Sequence, residues 1–218
     1  MKVNDITLFT MSACPLGRTM RHVLEEVTTL LPELTFSIVF IDQEPELTNE
    51  ARIKNNPTTL IRDKNGKEFH RIEGFKETDE VIQLIKTKKN YTTLPSGAKR
   101  EKSVESYTIY LLNGDALEAV DIDFTNPTSV KTPRITAINL LLEADFQPPL
   151  INPFPDSATL ELVKFEEDLA RVYINHEKKT ISEHNAYNMK RCLQQTLHAF
   201  GIEKVELVLK DYKTHNSI

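Results

Sequence analysis

The chain has 218 residues, 39% hydrophobic and 27% charged, with a net charge of −5. This describes a soluble globular protein of one large domain or two ordinary ones, and it leaves no bulk basic field to hold nucleic acid. No apolar run approaches the roughly 18 residues of a membrane span, and two cysteines make no disulfide framework.

The N-terminus goes straight into an alternating strand, with no charged lead and long apolar core, so no secretory signal is read and the chain is expected in the cytoplasm. Residues 6–10 read as a short strand. Ser12-Ala13-Cys14-Pro15-Leu16-Gly17-Arg18 follows and opens a helix. Leu16, Met20, Val23, Leu24, Val27, Leu30 and Leu31 recur as one apolar stripe, and Pro32 ends it. Cys14 therefore stands where a strand hands over to a helix. Unpaired N–H groups and about +0.5 charge at a helix N-terminus favour a thiolate. Pro15 costs nothing at the first helical position, where its missing N–H would have had no partner.

Residues 36–42 are mostly apolar, as expected of a strand buried on both faces. Strand, helix and strand here make a βαβ unit, hence a parallel pair. Residues 43–56 read as a turn and a helix with Leu47, Ala51 and Ile53 on a weak apolar face. Asn56-Pro57-Thr58 opens a third strand, Asn65-Gly66 turns a hairpin, residues 68–72 return, and 77–86 form a closing helix.

With Cys14-Pro15 and Pro57-Thr58 about forty residues apart in a β-α-β-α-β-β-α order, residues 3 to about 88 resemble the thioredoxin fold family. The resemblance implies that Pro57 is cis and faces Cys14, leaving the backbone around Asn56 free to pair with an extended substrate. Cys14 is then the catalytic residue, and Pro57, Asn56, Thr58, Arg18 and Pro15 are expected to line the substrate. Two positions depart from the family: Gly17 stands where its second cysteine would be, and Asn56 replaces a small aliphatic or hydroxyl residue.

Residues 89–105 are polar and contain Pro95 and Gly97, as a linker does. A second unit, 106–218, then reads as two strands around Asn113-Gly114, a helix from Pro133, a proline-rich loop over 147–155, a hairpin over Glu166-Glu167-Asp168, a long helix over 182–200 and a last strand. This ββαββαβ order resembles the GerMN domain of sporulation and germination proteins. The resemblance rests on residues 135–142, on Leu150-Ile151-Asn152-Pro153-Phe154-Pro155 and on the 160–174 hairpin. It implies a domain that docks a protein partner or a copy of itself. The expected fold class is thus α/β throughout: a thioredoxin-like domain at 1–88, a linker and a GerMN-like domain.

Without a second cysteine nearby, Cys14 cannot use the dithiol route, in which the partner thiol attacks the mixed disulfide. Three readings follow. Cys14 exchanges with a mixed disulfide that a small thiol then resolves, with Arg18 favouring the thiolate or holding an acidic group of the small thiol. Cys14 is oxidised or capped, and a partner reads the change. Or the scaffold is a relic, and the protein is a non-catalytic two-domain adaptor. Cys192, beside Met189 and Leu193, reads as a packed core residue. The six histidines show no metal spacing, and no glycine run cradles a phosphate, so neither metal nor cofactor is expected. The expected partners are a thiol- or disulfide-bearing protein or a low-molecular-weight thiol, with no nucleic acid and no membrane.

Overall fold

The computed structural model describes residues 3–87, 104–177 and 180–211. Contacts divide these into two compact units, one of residues 3–87 with 126–131 and one of 104–125 with 132–211. Of the expected linker, 89–103 lies outside the described residues, and Val104 and Glu105 open a strand. Among the described residues no helix is long and apolar enough to cross a membrane.

The first unit is α/β in the predicted order: β1 (Val3–Thr10), α1 (Pro15–Leu30), β2 (Thr35–Phe40), α2 (Pro45–Glu50), β3 (Thr58–Asp63), β4 (Glu68–Glu73) and α3 (Thr78–Lys86). Its sheet runs β2-β1-β3-β4. β2 lies parallel to β1, while β3 is antiparallel to both β1 and β4. Met20, Val23, Leu24 and Val27 of α1 and Val81 of α3 pack in one core with Ile6, Leu8, Ile61 and Ile72. Each such side chain, taken fully out of water, contributes about 1.5–3 kcal/mol. The ends of the α1 stripe escape this core: Leu16 is 43% and Leu30 57% exposed.

Two expectations are corrected. β2 is not buried on both faces; it is the outermost strand of the sheet, and Val39 is its one buried residue. Sheet order, which a local apolar run does not encode, decides that. The helix expected over 43–56 stops at Glu50. Its C-terminal carbonyls, at Ala51 and Arg52, accept from the Arg71 guanidinium at 2.9 and 3.2 Å, and Glu68 holds that guanidinium through both carboxylate oxygens. Ile53 enters the core beyond the helix end.

The second unit contains β5 (Val104–Asn113), β6 (Ala116–Thr125), α4 (Pro133–Leu142), β7 (Leu150–Ile151), β8 (Thr159–Glu166), β9 (Leu169–His176), α5 (Glu183–His198) and β10 (Lys204–Asp211). Its order matches the expected ββαββαβ, with the two-residue β7 added inside the proline loop. Among the described residues it has two three-stranded sheets, β6-β5-β7 and β10-β9-β8, and β10 runs parallel to β9. Ala170, Val172 and Ile174 alternate inward along β9. Thr196 of α5 is buried because its hydroxyl accepts the Tyr110 N–H at 3.0 Å, giving a strand donor its partner. The Asp121–Asp123 strand face is solvated, with Asp121 accepting from the Thr108 hydroxyl.

Cys192 is fully buried in this unit, as expected, and burial pushes its thiol from 9.0 up to about 12. Burial also pushes Tyr107 from 10.0 up to about 12, aided by its hydrogen bond to Glu105. Both folded values lie above the unfolded ones, so the fold prefers the neutral forms. Their stabilisation is complete below pH 9 and is lost as the pH rises from about 9 to 12, where only the unfolded chain ionises. The melting temperature should therefore fall across that window. The fall should be shallower in Cys192→Ala and Tyr107→Phe, each measured against its own value at pH 8.

Candidate functional site

The sheet order builds the site. β3 runs antiparallel to β1, with Thr58 opposite Phe9. The start of β3 is thereby laid against the end of β1, and the Asn56-Pro57 turn meets the loop that leads to Cys14. The Asn56–Pro57 peptide is cis, as the family resemblance implies. Gly74 donates its N–H to the Pro57 carbonyl at 2.8 Å.

Cys14 is the N-cap of α1, with Pro15 at the first helical position. Its backbone N–H donates to the Met11 carbonyl at 3.1 Å, and its carbonyl accepts the Arg18 N–H at 3.2 Å. Its sulfur accepts the Gly17 N–H at 3.5 Å. The helix thus directs one of its unpaired amides at the sulfur, the geometry in which a helix start accepts negative charge. The residue is 8% exposed, and it opens onto a cleft of about 300 Å³ lined also by Thr10, Ser12, Arg18, Arg21 and Phe40. Arg18 is exposed, one turn along the helix. Arg21 pairs with Glu25 at 2.7 Å and holds that carboxyl below its usual range.

The residues singled out from the sequence take different positions. Arg18 lines the cleft with Cys14. Pro15 is half-buried and Pro57 is buried. Thr58 is fully buried, and its hydroxyl donates to the Asn55 carbonyl at 2.8 Å. Asn56 is half-buried, and its Oδ1 accepts the Met11 N–H and the Thr10 hydroxyl, both at 3.0 Å. That oxygen is turned inward, tying the cis-proline turn to the loop that carries Cys14.

Three residues that hold the loop carrying Cys14 are not among those expected from the sequence. The Ser12 N–H donates to Asp42 Oδ1 at 2.9 Å and its hydroxyl to Asp42 Oδ2, which fixes the loop from its other side. Thr10, the last residue of β1, is the third. The signal for Asp42 is its place at the end of the apolar run; Thr10 carries none.

Replacing Asn56 by alanine should cost about 1–3 kcal/mol, because it leaves the Met11 N–H without its acceptor in a buried place and leaves the Thr10 hydroxyl only the Met11 carbonyl, at 3.3 Å. Asn56→Asp should recover most of that, since both bonds end on the oxygen that aspartate keeps. Urea unfolding of the three chains measures the difference.

Among the described residues no group of three or more His, Cys, Asp or Glu could hold a metal ion. No family model matches the chain. Over 72 residues the chain is 36% identical to a thioredoxin of Chlamydia trachomatis serovar D, a match spanning 33% of this chain and 70% of the relative. Among solved structures it is similar to chloroplastic thioredoxin z, at 23% identity and a TM-score of 0.35, over 39% of this chain and 76% of the other. The thioredoxin of Fasciola hepatica aligns at 22% identity and 0.35, over 39% and 79%. Desulfothioredoxin from Desulfovibrio vulgaris Hildenborough aligns at 25% identity and 0.35, over 38% and 79%.

Proposed function

The chain belongs to the thioredoxin family through its first unit, and on that premise we propose that it carries out thiol–disulfide exchange through a single thiol, that of Cys14. The observation that carries this reading is the placing of the Cys14 sulfur. It caps α1, receives the Gly17 N–H and opens onto a cleft beside Arg18, on a loop bonded to the cis-proline turn.

The thiolate of Cys14 attacks a mixed disulfide, and a low-molecular-weight thiol releases the adduct from Cys14. Arg18 is the cation closest in sequence to the sulfur and would hold an acidic group of the small thiol. Such a cycle needs a pool of reduced small thiol, so the reading places the protein in a reducing compartment such as the cytoplasm. The second unit we read as a GerMN-like interaction module, on its element order and proline loop, that docks a protein partner or another copy of the chain.

The test is turnover of a peptide carrying a small-thiol adduct, with the free small thiol in excess, together with the rate at which iodoacetamide alkylates Cys14. Turnover that requires the small thiol, with alkylation faster than in the unfolded chain, is the expected result. No turnover and alkylation slower than in the unfolded chain would replace this reading with that of a non-catalytic adaptor.

A further inference from the structure

The two positions that depart from the family pattern, Gly17 and Asn56, converge on one side chain. A Cβ placed at Gly17 would stand 1.9 Å from Thr10 Oγ1, 2.7 Å from Thr10 Cβ and 3.0 Å from Thr10 Cγ2. Real side chains do not approach this closely, so α1 lies against the end of β1 at a distance only glycine permits.

Thr10 cannot step aside. It is 4% exposed. Turning its side chain would move Oγ1 and Cγ2 but leave Cβ in place, and Cβ is fixed by the strand. Thr10 pairs with Phe40 across β2, and its carbonyl accepts the Ile41 N–H at 3.0 Å. Its hydroxyl is held by Asn56 Oδ1 at 3.0 Å, and the same oxygen holds the Met11 N–H. Asn56, Thr10 and Gly17 therefore form one packed set.

We propose that Thr10 is the specificity-determining residue of this site: held by Asn56, it occupies the space of a second active-site thiol, so that only a thiol from outside the chain can resolve an adduct on Cys14. This rests on the exchange reading of Cys14 given above. In that exchange the Cys14 thiolate attacks R–S–S–R′. The Cys14–S–S–R bond forms, the S–S bond of the substrate breaks, and R′–S⁻ leaves and takes a proton. A second low-molecular-weight thiolate, R–S⁻, then attacks the R sulfur of the adduct. R–S–S–R forms and the Cys14 thiolate returns. One substrate disulfide is reduced and one small-thiol disulfide is made, so the electrons balance with the small thiol as reductant.

The experiment compares the full chain with Gly17→Cys, Thr10→Gly/Gly17→Cys and Gly17→Ala. The readouts are thermal melting and, after mild oxidation, internal disulfide formation with Cys14 by intact mass. Gly17→Cys should melt several degrees below the parent and form little internal disulfide. The double variant should form it readily and then reduce a protein disulfide with dithiothreitol as the only other thiol. Gly17→Ala adds the same Cβ without a thiol and should also melt below the parent, which keeps the test decisive if a cysteine variant fails to fold. The proposal is overturned if Gly17→Cys forms the internal disulfide as readily as the double variant, or if Gly17→Ala melts at or above the parent. Melting and disulfide formation do not depend on turnover by the parent chain. Failure of the exchange reading and failure of the Thr10 assignment would therefore show up in separate measurements.

Discussion

Cys14→Ser is expected to bring turnover of a small-thiol mixed disulfide down to the uncatalysed rate while leaving the melting temperature unchanged or slightly higher. The two halves of this result have separate causes. A thiolate is the species that attacks a disulfide, and a serine hydroxyl is not ionised near neutral pH. At the same position, however, the side chain is an N-cap that accepts the Gly17 N–H at 3.5 Å. Serine is among the best N-cap residues and accepts at a shorter distance than sulfur does. A variant that lost both activity and stability would mean that the thiol matters to packing as well as to chemistry. Cys192→Ala should keep full turnover, since that thiol is fully buried in the second unit. Enzyme assay and thermal melting of the two variants, side by side, check all of this.

Much of the architecture was legible because it is periodic. The α1 stripe at Met20, Val23, Leu24 and Val27 is the buried face of the helix, and Asn65-Gly66 does turn a hairpin between antiparallel strands. The proline-led start of β3 and the Cys-Pro start of α1 also stand where local chemistry puts them. What stayed hidden is what depends on partners distant in the chain. Residues 36–41 look the same whether β2 lies in the middle of a sheet or at its edge. Ser12 and Asp42 are bonded across thirty positions. Nothing local says that Asn56 turns its oxygen toward Met11 rather than toward a substrate. A glycine inside a helical pattern advertises a close approach in general, but only the packed fold names Thr10 as the side chain it approaches.

That contact reverses the sign of an ordinary stabilising substitution. Gly17 lies inside the first turn of α1, and on helix propensity alone Gly17→Ala should stabilise by about 0.8–1 kcal/mol. The added methyl carbon would instead meet Thr10 Oγ1 at 1.9 Å and Thr10 Cβ at 2.7 Å. Relieving both contacts requires the helix start to move away from β1, against the bonds that fix the Cys14 loop at Met11 and Asp42. Overpacking of this kind costs about 1–3 kcal/mol and occasionally more, so after the propensity gain is subtracted the net effect should be a destabilisation of up to about 2 kcal/mol. The two side chains should also fail to add. Thr10→Gly alone forfeits a partly buried hydrogen bond to Asn56 and weakens a strand, yet in its presence Gly17→Ala should regain its favourable helix propensity. A double-mutant cycle by urea unfolding should therefore give a favourable coupling between two changes that are each harmful alone. A coupling of zero would mean that α1 shifts away from β1 more easily than this contact allows.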